Sequence, residues 1–396
     1  MKETNLTAAN ILGNPDYPAI SYGGYRAISR DTQPTLAQLK EDMLILHRMG
    51  VRVLRTYNVQ LAQAKNLLAV IRELKQADPD FEMYIMLGAW IDCLNAWTEY
   101  PVDHEQESPQ NAGEIDRAVA LAKQYPDIVK VIAVGNEAMV KWAASYYVQP
   151  WVILKWVRHL QKLKAAGELP ADLWITSSDN FASWGGGDPV YHVDDLNQLM
   201  AEVDYLSIHT YPMHDTHYNP TFWGSREGEE TADDTTRIKA AMDRSLAYAQ
   251  SQYDSVANYM ESLGIDKPIH IGETGWATVS SGFYGPSGSR ATDEYKQALY
   301  YNALRDWTQQ AGISCFFFEA FDEPWKDAAN QQGSENHFGL FTVDGKAKYA
   351  LWSLVDQGVF EGLTRDGNAI TKTFNGNEAA MLVSVLPPPA ASLITH

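Results

Sequence analysis

Short apolar runs recur along the chain, and each hands over to a stretch in which apolar residues return every three or four positions. "AISYGGY" (19–25) leads into "TLAQLKEDMLILHRMG", where Leu36, Leu39, Met43 and Leu46 fall on one helical face and Gly50 closes the turn. The pattern repeats from "VRVLRTY" (51–57), "EMYIMLGAW" (82–90) and "VKVIAVGNE" (129–137). It continues from "LWITSSDN" (173–180), "VDYLSIHTY" (203–211), "KPIHIGETGW" (267–276) and "ISCFFFEAF" (313–321). The sixth run precedes a long helix expected from about Asp234 to Leu263, and the eighth precedes a helical "AKYALWSLVDQ". Near-continuous apolar strands alternating with helices specify a parallel sheet covered by helices, and eight such units are the number that closes a barrel. The expected fold is therefore α/β, a (β/α)8 TIM barrel over residues 20–357, with residues 1–19 as an N-terminal extension.

Two features depart from this rhythm. The loop "PMHDTHYNPTFWGSREGEETADD" after strand six is too long for a plain connection and is expected to be an insert walling one side of a cleft. After Gln357 the periodicity fades, and residues 358–396 read as a C-terminal extension, either an appended strand pair with a Pro-rich end or a linker.

Several strands end in polar or aromatic residues: Arg55 and Tyr57, Trp90, Glu137, Asp179 and Asn180, His209 and Tyr211, Glu273, Glu319. Active sites of such barrels lie at the C-terminal ends of the strands. "VIAVGNE" and "PIHIGE" each run an apolar segment straight into a carboxylate, Glu137 on strand four and Glu273 on strand seven. A charge leaving water costs several kcal/mol unless it is paired or neutralised. One such ending is usually an ion-pair partner. Two facing one mouth, among aromatics, suit glycoside cleavage, in which a pair of carboxyl groups flanks the scissile bond. Asn136, directly before Glu137, offers an amide for a sugar hydroxyl beside that bond.

Composition narrows the partners. The 396 residues carry a net charge of −19, which argues against nucleic acid and anionic membrane surfaces. Twelve Trp and 21 Tyr suit sugar faces, although most aromatic side chains fill cores. The two cysteines, Cys93 and Cys315, imply no disulfide framework and read as free, buried thiols. No apolar run reaches the ~18 residues that a membrane span needs, and the start lacks the features of a signal peptide. A soluble monomer is expected. His209, His214, Asp215 and His217 crowd one segment but lack helical ligand spacing, so no metal and no cofactor are expected, and His209 reads as a satisfied barrel-mouth histidine. "GGGDP" (185–189) has none of the context of a phosphate cradle.

"VGNE" at 134–137 and "GETGW" at 272–276 resemble the acid/base and nucleophile motifs of glycoside hydrolase family 17, the β-1,3-glucanases and glucanosyltransferases. The resemblance runs from about Ile20 to Gln357 and includes "YGG" at 22–24, "RTY" at 55–57, "YP" at 211–212, "FEAFDEPWK" at 318–326 and "HFGLF" at 337–341, the last two suggesting the microbial branch. It implies a retaining enzyme on a (β/α)8 barrel, with Glu137 as acid/base and Glu273 as nucleophile. Glu323 and Lys326 match a Glu-x-x-Lys pair lining the family's active site, Arg55 and Tyr57 match its strand-two Arg-x-Tyr, and Tyr22 matches its strand-one tyrosine. Tyr211 is expected to donate near the nucleophile, and Trp276 and Trp325 to stack on glucose rings. The implied substrate is β-1,3-glucan of the laminarin type, hydrolysed in endo fashion. The alternatives are a β-1,3-glucanosyltransferase using the same glutamates and, more remotely, a non-catalytic glucan-binding module. A secreted, periplasmic or cell-surface location follows from that substrate class, with any signal peptide lying outside this chain.

Overall fold

In the computed structural model, which describes residues 6–394, the first strand pairs with both the second and the last. The barrel strands are β1 (Ala19–Ser21), β2 (Val53–Arg55), β3 (Tyr84–Ala89) and β4 (Val129–Asn136). They continue as β5 (Trp174–Asn180), β6 (Leu206–His209), β7 (Ile269–Gly275) and β8 (Cys315–Phe318). All neighbours are parallel and the ring closes in sequence order, β1 pairing β8 through Ile20 and Phe317. The (β/α)8 barrel read from the hydrophobic pattern is the fold.

Alternation along the strands sorts their side chains into two cores. Ile85 and Leu87, Ile132 and Val134, and Leu54 belong to the large cluster shared with the surrounding helices. Their strand neighbours Val53, Met86, Val131 and Ala133 belong instead to a smaller cluster with Tyr84, Tyr205 and Phe316, the filling of the barrel interior. A short helix at Ala8–Ile11, capped by Thr7, adds Ala8, Ile11 and Leu12 to that inner cluster. Gly13 N–H then donates to Ser314 Oγ at 2.8 Å, which ties this segment to the start of β8.

The outer helices are α1 (Leu36–Arg48), α2 (Ala62–Ala77), α3 (Asn111–Gln124), α4 (Pro150–Ala165), α5 (Asp194–Glu202), α6 (Asp234–Ser262) and α7 (Glu294–Ala311). The eighth expected helix is broken. A 3-10 turn at Tyr349–Leu351 leads into α8, only Trp352–Asp356. The loop after β3 carries an antiparallel hairpin, Cys93–Leu94 against Asp103–Glu107, which the sequence pattern did not reveal. The long segment after β6 holds a helix at Pro212–Tyr218 and a turn at Pro220–Phe222. Its Met213 and Trp223 are buried, Trp223 donating its indole N–H to Ser289 O at 2.7 Å, while residues 217–219 and 226–228 are exposed. Cys93 is buried, but Cys315 is partly exposed, which corrects the expectation of two buried thiols.

Beyond α8 the chain forms a small hairpin, Thr364–Arg365 with Asn368–Ala369. It drives a fully buried Arg365 onto Asp42 of α1, with Nε at 2.8 Å from Oδ1 and Nη2 at 3.1 Å from Oδ2. Asp42 also accepts from Arg26 Nη2 and from the Tyr22 hydroxyl, each at 2.9 Å. No helix among the described residues is long and apolar enough to cross a membrane.

Candidate active site

The end of β4 turns sharply where its motif sits. Gly135 has φ +81° and Glu137 φ +48°, a left-handed pair that only glycine adopts freely. That turn swings the Glu137 carboxylate across the barrel mouth. The first glycine of the β7 motif has a different cause. A Cβ on Gly272 would lie 2.0 Å from Ser207 Oγ and 2.3 Å from Ser178 Oγ, so the floor beneath Glu273 admits no side chain there.

The two glutamates meet. A Glu137 carboxyl oxygen, a Glu273 carboxylate oxygen and a His209 ring nitrogen lie within 4.8 Å of one another. Around Glu273 the donors are dense. Oε2 accepts from Arg55 Nη1 at 2.9 Å and from the Tyr57 hydroxyl at 2.8 Å, while Oε1 accepts from the Tyr211 hydroxyl at 2.6 Å. Arg55 is itself buried, and its Nη2 donates to Asn136 Oδ1 at 2.5 Å. Because a guanidinium only donates, the Asn136 oxygen must face it, which leaves the amide N–H groups for another partner. Glu137 Oε1 lies 2.9 Å from His209 Nδ1.

His209 is tautomerically fixed by the same reasoning. Arg55 Nη1 lies 3.1 Å from Nε2 and can only donate, so Nε2 is the acceptor and the ring proton sits on Nδ1, aimed at Glu137. Ser178 Oγ, 2.7 Å from Nε2, completes the arrangement. Burial pushes the His209 pKa down to about 4, so the ring is neutral above that pH.

These surroundings split the two carboxyls. Burial raises the Glu137 pKa well above the usual carboxylate range, and the Glu273 charge raises it further, against the pull of Arg55. Burial also opposes ionisation of Glu273, yet its polar neighbours outweigh burial and hold its pKa below the usual value. The Arg55 guanidinium and the Tyr211 and Tyr57 hydroxyls favour its charged form, and a protonated His209 adds to them at low pH. The surroundings thus push Glu137 toward its protonated form and Glu273 toward its ionised one, the division that a two-carboxylate mechanism requires.

A cavity of about 620 Å3 opens beside Glu273 and Asn136. Tyr57, Glu323, Trp325 and Lys326 line it, as do Trp90, Trp97 and Glu319. Tyr22 borders it with its ring, but its hydroxyl is committed to Asp42. Trp325 donates its indole N–H to Glu323 Oε2 at 2.6 Å, and Arg30 lies 4.1 Å over its ring. Lys326 makes its close contact with Glu319 Oε1 at 2.8 Å, and Glu323 Oε2 is more distant at 3.9 Å. Glu319 is therefore a third mouth carboxyl that the motif comparison passed over, although "FFFE" carries the same apolar-run-into-carboxylate signal as the other two. Trp276 is not part of the cavity. Its ring is fully buried, with the indole N–H on Ala291 O at 2.8 Å, so the expectation that it stacks on sugar is corrected. Strand alternation points it away from the mouth.

The metal question changes residues but not direction. Of the histidine-rich segment, only His209 joins a group with ligand-like spacing, together with Glu137 and Glu273. Asp215 is taken by Tyr248 and Asn219, and His217 stacks on Phe283. Arg55 Nη1 bonds both Glu273 and His209, so a guanidinium already stands where a cation would have to sit. The donor set fits an ion-paired carboxylate couple better than a metal.

Comparison with known proteins bears on the fold and the family. The model of the BtgE/BtgC glycoside hydrolase domain matches residues 19–339. A solved endo-laminarinase from Formosa Hel1_33_131 is 68% identical, covers 99% of this chain and 100% of its own, and superposes with a TM-score of 0.97. A β-1,3-glucanosyltransferase of Rhizomucor miehei, 22% identical with 85% and 96% coverage and a TM-score of 0.57, shares the fold. A glucan 1,3-β-glucosidase of Arthroderma benhamiae is 26% identical over 58% of this chain and 64% of its own. A putative glucan endo-1,3-β-glucosidase of Aspergillus niger is 22% identical over 81% of this chain and 40% of its own. The chain therefore spans less than two thirds of the length of these curated relatives.

Proposed function

Since the chain belongs to the family of BtgE/BtgC glycoside hydrolase domains, of glycoside hydrolase family 17 type, we propose that it is a retaining endo-β-1,3-glucanase acting on laminarin-like glucan, with Glu137 as acid/base and Glu273 as nucleophile. The observation that carries the reading is a pair of carboxyls whose oxygens approach within 4.8 Å, one bonded by Arg55 and two tyrosine hydroxyls and the other not. So close an approach is in keeping with a retaining pair, whose carboxyl groups lie ~5–5.5 Å apart, rather than with the wider pair of an inverting enzyme. The likeness to the Formosa endo-laminarinase supports the substrate and the endo action.

In the first step a Glu273 oxygen attacks C1 of the donor glucose, while Glu137 gives its proton to the departing O3 of the acceptor. Oε1 is the freer oxygen, with one donor against two on Oε2. Ester formation removes the Glu273 charge, and with it one of the influences that raise the Glu137 pKa. The same side chain is then better able to stay ionised and take a proton from the incoming water. Asn136, held through its oxygen by Arg55, turns its amide hydrogens to the donor sugar.

Two variants test the roles. Glu273→Gly should lose activity on laminarin by several orders of magnitude, because the nucleophile acts only on the way to the transition state. With azide and an activated donor it should form an α-glucosyl azide. Glu137→Ala, given the same donor, should form the β-glucosyl azide. NMR of first-formed laminarin products from the native chain should show the β-anomer. An initial α-anomer, or the same azide anomer from both variants, contradicts the proposal, and products longer than the substrate would indicate transfer in place of hydrolysis.

A further inference from the structure

The hairpin after β3 brings a tryptophan to the cavity in a way that no motif announces. Trp97 is 65% exposed, with φ +63°, and Asn95 two residues before has φ +66°. Bulky residues rarely occupy that backbone region, and such an outlier persists only where its surroundings impose it. Here Asn95 Nδ2 donates to Pro101 O at 2.9 Å, and Thr98 Oγ1 to Asn95 O at 2.7 Å. The indole is clamped as well. Asp92 Oδ2 accepts the indole N–H of both Trp90, at 3.2 Å, and Trp97, at 3.1 Å. Asp92 is seated in turn on Asn111, the first residue of α3, through two bonds of 3.1 and 2.9 Å.

This clamp leaves the ring with one use. Its N–H is consumed, and one face stacks on Tyr146, with centroids 5.5 Å apart and planes at 27°. Most of the rest of the side chain is exposed. Trp325, by contrast, already has Arg30 over its ring. A presented indole face without a free polar handle suits the apolar C–H face of a pyranose.

The cavity's position supplies the direction. Its lining includes Glu273, Asn136 and residues of the segments after β1, β2, β3 and β8, and among the described residues it includes neither Glu137 nor the segments after β5 and β6. The nucleophile bonds the donor sugar and the acid/base serves the leaving group, so this cavity belongs to the donor side. Contacts run from Asn136 through Tyr146, whose hydroxyl lies 3.5 Å from Asn136 O, to Trp90 and then Trp97.

Resting on the reaction assigned above, we propose that Trp97 is a stacking platform for a glucosyl unit of the donor chain, remote from the scissile bond and toward the non-reducing end. Trp97→Ala should lower the ratio of kcat/KM on laminarihexaose to that on laminaritriose by about tenfold, in line with the loss of one buried aromatic contact. Trp97→Phe should restore most of that ratio. With hexaose labelled at its reducing end, the labelled fragments should lengthen in Trp97→Ala, because fewer units are then held on the donor side. An equal fall on both substrates, an unchanged ratio, or labelled fragments that shorten would overturn the assignment. Should Trp97→Ala fail to fold, N-bromosuccinimide oxidation of Trp97 in Glu273→Gln, located by peptide mapping, gives the same answer: hexaose should protect it and laminaribiose should not. Equal protection by the two sugars, or none, would count against the platform. A native chain that cleaves no laminari-oligosaccharide would remove the reaction itself, which is a separate outcome.

Discussion

Tyr211 and Tyr57 each give Glu273 a hydroxyl, one per carboxylate oxygen, at 2.6 and 2.8 Å. Donors of this kind favour the ionised form of the acceptor. Removing one should raise the Glu273 pKa, so at a given acidic pH a smaller fraction is ready to attack. The acid limb of kcat/KM in Tyr211→Phe should therefore move to higher pH. The alkaline limb should stay where burial and the Glu273 charge set the Glu137 pKa. A pH–rate profile with the acid limb unmoved or shifted downwards would show that the hydroxyl does not act on Glu273. The carboxylates themselves were legible from sequence because a charge at the end of an apolar strand is physically conspicuous. Exposure of aromatics was not. Trp276 and Trp97 look alike as letters, yet one is fully buried and the other 65% exposed, since facing depends on strand register and on a hairpin held by left-handed residues. His209 was read as a satisfied histidine. It is satisfied, but one of its partners is Glu137 at the end of β4, two strands away, a contact that only the closed barrel reveals.

Among the elements, the barrel strands and most helices followed from periodicity, because strands such as β3 and β4 run apolar on both faces and each helix is apolar on one. What escaped lacked that signature. The Asp103–Glu107 strand is "DHEQE", polar throughout, and pairs only with a two-residue partner. The expected last helix contains apolar residues at helical spacing, yet its first turn tightens to a 3-10 form and only five α residues follow. The small helix at Ala8–Ile11 is of another kind, too short to be stable alone and held by what it buries. Ile11 is 1% exposed within the inner cluster. Ile11→Ala should cost about 2–5 kcal/mol, the range for deleting a packed aliphatic side chain. Because it sits at the end opposite the glutamates, activity at a permissive temperature should persist. Denaturant unfolding paired with a laminarin assay checks both parts, and loss of activity without loss of stability would refute the assignment.

At the scale of the whole molecule, distant parts of the chain share one buried carboxylate. Asp42 receives Arg365 from the last hairpin, Arg26 from the segment after β1, and the hydroxyl of Tyr22, which borders the cavity. Arg365→Ala strips a fully buried carboxylate of its bidentate partner, a change expected to cost about 3–5 kcal/mol. The hairpin should then come loose first, seen as faster proteolysis beyond Gly358 together with a lower Tm. A variant with native Tm and native proteolysis would show that Arg26 and Tyr22 suffice. Closure has a further consequence in time. β1 must wait for β8, and Ile20 pairs with Phe317. Ribosomes add roughly 5–20 residues per second, so β1 leaves the exit tunnel on the order of 15–60 seconds before its second neighbour exists. Throughout that interval its free edge is open to other chains, and the yield of this protein in a cell should respond to translation speed and chaperone supply as much as to any contact in the finished barrel.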